Sequence, residues 1–165
     1  MTNLFVPQVT FKNRVDDAWV NVTTDEYFKG KKVVVFSLPG AFTPIWSTQQ
    51  VPQFEWAYEE FQSEGVDEVY CLSVNDAFVM NEWKQSLSID NVKFIPDGNG
   101  EFTRKMGYLV EKKPQGFGER SWRYSMYVED GEILQIFEEP GFEDNVQVDP
   151  YVVSDPETML EYLRK

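Results

Sequence analysis

The sequence predicts an α/β sandwich built on a mixed central sheet, and three observations predict it. Two apolar, β-branched runs, "KKVVVFSL" and "EVYCLSV", have the composition of strands buried on both faces. Segments with helical spacing of apolar residues alternate with them. The chain then changes to two strand-like runs around Glu129, Asp130 and Gly131 in "RYSMYVEDGEILQIFEE", the pattern of an antiparallel hairpin. Alternating β and α elements followed by a hairpin and a closing helix put parallel and antiparallel strands in one sheet.

Taken in order, "AWVNVTT" alternates apolar and polar residues and predicts an early strand, paired in a hairpin. Lys31 to Leu38 predicts the central strand, ended by Pro39 and Gly40. From Trp46 to Glu64, Val51, Phe54, Ala57, Tyr58 and Phe61 share a helical face, and Gly65 follows as a stop. Pro52 is expected to kink that helix or to sit in its first turn. Glu68 to Val74 predicts a second buried strand. Asn75 or Asp76 then caps a helix to about Leu87, with Phe78, Val79 and Trp83 on one side. "VKFIP" predicts a short strand closed by the turn "DGNG", and Glu101 to Met106 a short helix stopped by Gly107. The last helix is expected to start at Ser154, with Glu157 completing a capping box, and to run to Arg164. This order fits a thioredoxin-like architecture. In open α/β sheets the working site lies where strand C-termini meet helix N-termini, which points to the loop after Leu38.

The 165 residues are enough for one domain with a full core, and the aromatic residues run from Phe5 to Tyr162, so a single domain over 1–165 is expected. The net charge of −13 argues against nucleic acid and against anionic membrane surfaces as partners. No apolar run approaches a membrane span, and "MTNLFVPQVTFKN" lacks the features of a signal peptide, so a cytoplasmic location is expected. The chain has no histidine and one cysteine, which removes Ser-His-Asp, Cys-His and CxxC chemistry and the usual zinc sites. No metal and no organic cofactor is expected.

In the loop after Leu38, "PGAFTPIWSTQQVP", Thr43 brings a hydroxyl close to a helix start, where free N–H groups and the helix dipole favour an anion. Arg123, in "SWRYSMYVEDG", is able to complete an anion site from the head of the hairpin. The plainer reading makes it a half-buried edge-strand arginine paired with one of the 28 acidic residues.

"PGAFTPIWS" resembles the peroxiredoxin signature Pro-Gly-Ala-Phe-Thr-Pro-x-Cys-Ser. "LSVNDAFVMNEWK", "FIPDGNGEFTRKMG", "GFGERSWRYSMYVEDG" and "VSDPETMLEYL" are similar to the peroxiredoxin subgroup that includes mammalian peroxiredoxin five and the bacterial peroxiredoxin–glutaredoxin fusions. The resemblance runs from about Phe5 to Leu163, and the glutaredoxin half of the fusions is not expected in this chain. It implies the thioredoxin-like peroxiredoxin fold. It also implies a thiol peroxidase that reduces hydrogen peroxide and alkyl hydroperoxides, with glutaredoxin and glutathione, or thioredoxin, as donor. In the family a cysteine thiolate attacks the peroxide, a threonine and an arginine hold the peroxide and the developing charge, and a proline shields the thiolate. By position these roles fall to Thr43, Arg123 and Pro39, whereas Trp46 stands where the peroxidatic cysteine belongs. Gln50 occupies a place where relatives often have histidine.

Cys71 lies in the middle of a predicted strand, where a thiol is buried, has a raised pKa and reacts poorly. Without a second cysteine, the resemblance is to members that use one cysteine and an external thiol. Three readings of Trp46 follow. The first is an active-site variant of a working peroxidase, one nucleotide away from a cysteine codon, and inactive as it stands. The second is a natural non-catalytic member that binds or senses. The third is acid–base chemistry by Thr43 and Arg123, which lacks a base of suitable pKa. Tryptophan has roughly twice the volume of cysteine, and overpacking a fitted site costs about 1–3 kcal/mol. The indole is therefore expected to fill the peroxide pocket or to unwind the first turn of the helix. The subgroup also forms homodimers through loops close to the site, which makes Phe42, Phe78 and Met80 contact candidates if they are not ordinary core residues.

Overall fold

The computed structural model describes residues 4–44 and 46–165. The chain opens with a hairpin of β1 (Thr10–Val15) and β2 (Ala18–Thr23) and a single helical turn, α1 (Thr24–Phe28). The central strand β3 (Lys32–Ser37) follows, then α2 (Trp46–Trp56) and α3 (Tyr58–Ser63). Next come β4 (Glu68–Ser73), α4 (Ala77–Ser86), β5 (Lys93–Pro96) and α5 (Glu101–Met106). A small hairpin of β6 (Leu109–Lys112) and β7 (Gly118–Ser121) leads into β8 (Tyr124–Glu129) and β9 (Glu132–Glu138), and α6 (Pro156–Leu163) closes the chain.

The main sheet has the order β5-β4-β3-β8-β9. β3 runs parallel to β4, and β4 to β5, whereas β8 is antiparallel to both β3 and β9. The sheet is therefore mixed, as the switch from βα units to a hairpin requires. Because side chains alternate across a strand, β3 feeds two cores. Val34 and Phe36 pack with Phe54, Phe61, Met80, Trp83 and Leu160 on the α2/α4/α6 side, and Val33 and Val35 pack with Phe11, Phe28, Phe102 and Trp122 on the other.

Several expectations are corrected. Of the two places expected for Pro52, the first turn of α2 is not the one it takes: it is seventh of eleven residues. Lacking an N–H, it leaves the Thr48 carbonyl without its helical donor. The segment is irregular at Ala57 (φ −88°, ψ 1°), yet Ala57 N–H still donates to the Gln53 carbonyl and Phe61 N–H to the Ala57 carbonyl. On α4 the inward face is Ala77, Met80 and Trp83, while Phe78 is more than half exposed. Asp76 is the cap, accepting from Val79 N–H. The cap of α6 is Asp155, not Ser154, because Pro156 takes the first helical position and Asp155 accepts from Thr158 N–H. The expected early hairpin is β1 with β2, whereas α1 and the β6–β7 hairpin are additions to the predicted order. Among the described residues, no helix is long and apolar enough to cross a membrane.

Candidate functional site

β3 ends at Ser37, and the chain turns through buried Pro39 and Gly40 before α2 begins. Three hydrogen bonds fix this turn. Arg120 Nη1 donates to the Pro39 carbonyl at 3.0 Å, Ala41 N–H donates to Asn75 Oδ1 at 2.9 Å, and Thr43 Oγ1 donates to the Gly40 carbonyl at 2.6 Å. Thr43 is buried, and its donor is spent on Gly40, so its oxygen lone pairs remain as acceptors. Thr48 Oγ1 donates to the Thr43 carbonyl at 2.9 Å and ties the loop to the second half-turn of α2.

Arg123 enters from the sheet, one residue before β8. It is 2% exposed, deeper than the half-buried placement expected of an edge strand, and β8 lies between β3 and β9 rather than at an edge. The ion-pair reading fails as well: among the described residues no carboxylate lies within ion-pair range of its guanidinium. Its partners are neutral. Nη1 donates to Gln50 Oε1 at 2.7 Å and Nη2 to Ser47 Oγ at 3.3 Å, both on α2, and its guanidinium carbon lies 5.7 Å from the centre of the Tyr151 ring. Nε is buried with no partner. Burial pulls the Arg123 pKa down to about 10, opposed by the negative charge of Glu139. It remains a cation at neutral pH, with donor capacity left over beside a helix N-terminus, an arrangement that favours a small anion or a developing negative charge.

Gln50 is part of this arrangement, not a bystander. It is fully buried, accepts from Arg123 and donates through Nε2 to the Ser154 carbonyl at 3.0 Å. Ser154 in turn is held by Glu139, whose buried carboxylate accepts from Val152, Val153 and Ser154 N–H and from Ser154 Oγ–H. The Glu139 backbone N–H donates to the Arg123 carbonyl at 3.1 Å. Sequence reasoning missed Ser47, Tyr151, Ser154, Glu139 and Arg120. Only Arg120 carried a signal, as the first arginine of "GERSWR".

Trp46 is the first residue of α2. The helix is wound from Trp46 onward, so the expected unwinding of its first turn does not occur. Nor is the indole enclosed: it is 37% exposed and rests on Tyr151, with ring centroids 5.8 Å apart. Turning outward avoids the overpacking penalty of burying an indole in a cysteine-sized space. Tyr151 thus lies between Trp46 and Arg123, and its hydroxyl bonds Gln53 Oε1. Burial, above all, raises the Tyr151 pKa beyond the ordinary phenol range.

Cys71 lies in β4, fully buried, and desolvation raises its thiol pKa well above the usual value, so it supplies no thiolate. Of the contact candidates, Phe42 and Phe78 are more than half exposed, whereas Met80 is 1% exposed. Met80 points inward from α4 into the core with Trp83 and has no surface to offer a partner. Among the described residues, no three acidic or cysteine side chains converge to hold a metal ion.

Residues 5–150 match the family model described as Redoxin. Peroxiredoxin sll1621 of Synechocystis sp. is 57% identical, covering 99% of this chain and 92% of its own length. Hybrid peroxiredoxin hyPrx5 of Haemophilus influenzae is 54% identical over 96% of this chain and 64% of its own length. In three dimensions the chain is similar to the Plasmodium falciparum antioxidant protein, a 1-Cys peroxiredoxin, with a TM-score of 0.93, 34% identity and 99% of each chain covered.

Proposed function

Because this chain belongs to the peroxiredoxin family of thiol peroxidases, we propose that its Pro39–Thr43 loop, Arg123 and α2 form a peroxide site whose nucleophile position is held by Trp46, leaving it without peroxidase activity. The single observation that carries this reading is Arg123: a buried guanidinium with no carboxylate in ion-pair range among the described residues, bonded to the first turns of α2 at Ser47 and Gln50, one and four residues after Trp46. Such a charge is costly unless something anionic shares its site. A thiolate at the first position of α2, with peroxide beside it, is the group that this charge and the helix N-terminus suit. The indole N–H is far too weak an acid to transfer its proton, and the nitrogen lone pair is delocalised in the ring and makes no nucleophile.

The chemistry balances once a thiol is present. The thiolate sulfur attacks one peroxide oxygen, the O–O bond breaks, and the second oxygen departs as water or an alcohol after taking up a proton. The sulfur is oxidised to a sulfenic acid; one external thiol condenses with it to a mixed disulfide with loss of water, and a second releases the protein thiol and leaves as the donor disulfide. Cys71, buried in β4, cannot act as a resolving partner, which favours an external donor. The proposed donor is glutaredoxin with glutathione, or thioredoxin. Exposed Phe42 and Phe78 support a homodimer, and the cytoplasm is the proposed location.

The test is Trp46→Cys. The variant should reduce hydrogen peroxide with dithiothreitol or glutaredoxin as donor, whereas the unaltered chain should not exceed the uncatalysed rate. A folded Trp46→Cys protein that shows no turnover would discard the peroxidase reading and leave a binding role.

A further inference from the structure

Arg120 lies outside the catalytic set, three residues before Arg123, on the small β6–β7 hairpin. Its guanidinium does not pair with any carboxylate among the described residues. It leaves the hairpin and reaches the opposite wall of the site: Nη1 donates to the Pro39 carbonyl at 3.0 Å, while Nε donates to the Phe117 carbonyl at 3.3 Å. The Phe117 ring, with its centre 5.2 Å from the guanidinium carbon, covers one face of the group. A Cβ placed on Gly40 would fall 1.9 Å from Arg120 Nη1, so any side chain at position 40 takes the space the guanidinium occupies. Gly40 and Arg120 are thus fitted to each other across 80 residues of sequence. The loop they fix carries the Gly40 carbonyl to which Thr43 donates.

We infer that Arg120 is a positioning residue for the peroxide loop: it clamps the Pro39 carbonyl and so sets where Pro39 and Thr43 stand relative to the first turn of α2. Gly40 suits the clamp, which occupies the space of its missing side chain, and its φ of 157° independently disfavours a side chain there. The inference rests on the peroxidase reading for its activity test, and on geometry alone for a second test.

In the Trp46→Cys background, Arg120→Ala and Gly40→Ala should each lower the second-order rate constant for hydrogen peroxide by about tenfold or more, since misplacing a catalytic group by about 1 Å costs on the order of a hundredfold. The loss in the double variant should be clearly smaller than the product of the two single losses, because the 1.9 Å collision disappears with the guanidinium, while the strain of a side chain at φ 157° and the approach to Thr43 Cγ2 at 3.2 Å remain. The pH midpoint of the rate should move upward in Arg120→Ala, because a displaced loop weakens the donors around the introduced thiol. Rate losses that multiply in the double variant, or a pH midpoint that stays put while only the thermal midpoint falls, would overturn the positioning role. Should Trp46→Cys be inactive, the same cycle is measured in the unaltered chain by amide hydrogen exchange at Ala41 and Thr43. Faster exchange in each single variant with a clearly less than additive gain in the double supports the clamp, and additive or absent effects refute it.

Discussion

Arg123 is the residue on which the energetics of the site turn. Burial favours its neutral form, and its folded-state pKa of about 10 lies well below the ordinary guanidinium range. For a base, a lowered folded pKa means that the folded state binds the proton less tightly than the unfolded chain does. The cost of the buried charge is therefore fully present below pH 10 and is relieved as pH rises through that value. A neutral side chain of similar length escapes this cost but strands Gln50 Oε1 and Ser47 Oγ. Since replacing buried charge with apolar groups stabilises by about 1–4 kcal/mol in favourable cases, Arg123→Met is expected to stabilise the fold by about 1 kcal/mol at pH 7. The gain should shrink above pH 10, where the native arginine discharges. Urea denaturation at pH 7 and pH 10.5 checks the sign, and a destabilised variant at pH 7 would mean that the neutral hydrogen bonds outweigh desolvation. In the Trp46→Cys background the same substitution should abolish peroxide reduction, the trade of stability for function that an anion site entails.

At the scale of elements, the site depends on a segment that the sequence does not announce. Residues 139–155 form no long helix or strand, yet they supply Tyr151 against Arg123 and the Ser154 carbonyl to Gln50. Glu139 holds this segment in place: removing its carboxylate leaves three backbone N–H groups and one hydroxyl without an acceptor. Each buried donor left unpaired costs about 1–3 kcal/mol, and solvent entry recovers part of that, so Glu139→Ala should cost about 3 kcal/mol or more. Chemical denaturation measures the loss, and amide exchange at Val152, Val153 and Ser154 should quicken well beyond the global change. Unchanged exchange at those amides would show that the segment is held by other contacts.

The same contrast explains what could be foretold. β3, β4 and β5, the β8–β9 hairpin and α5 were legible because β-branched runs, helical spacing and Gly or Pro punctuation all act within a few residues. Gly107 even closes α5 in the left-handed conformation, φ 83°. α1 had a legible signal, the capping box of Thr23 and Glu26, but it is a single turn and falls below any periodicity test. Pro39, Thr43 and Arg123 were legible through family motifs. Ser47, Tyr151, Glu139 and the contacts of Gln50 and Arg120 were not, because each depends on a contact spanning many residues, from 13 between Glu139 and Val152 to 104 between Gln50 and Ser154. The outward turn of Trp46 was likewise invisible: volume alone foretold overpacking, whereas the ring found Tyr151 from a distant loop.

For the whole molecule, surface and charge pull in opposite directions. Phe42 and Phe78 are more than half exposed, and both belong to the region around α4: Phe42 lies 6.3 Å from Trp83, centroid to centroid, and Phe78 is on α4 itself. Phe78 meets Trp19 edge-on at 5.4 Å, and Arg14 lies 5.1 Å and 5.0 Å from the two rings. Aromatic groups with an arginine among them are the kind of surface that protein interfaces favour. Against association stands a net charge of −13 on each copy, which makes two copies repel. The proposed homodimer must draw its affinity from the aromatic patch and lose part of it to long-range repulsion. Because salt screens repulsion between exposed charges over about 10 Å at 0.1 M without weakening apolar burial, the dimer should tighten as salt rises from 20 mM to 300 mM. Phe78→Glu should weaken it by at least a hundredfold, and Met80→Leu, a change inside the core, should leave it unaltered. Sedimentation equilibrium at the two salt concentrations reads all three. A chain that stays monomeric at both, or a dimer indifferent to Phe78→Glu, would remove this face from consideration as the contact.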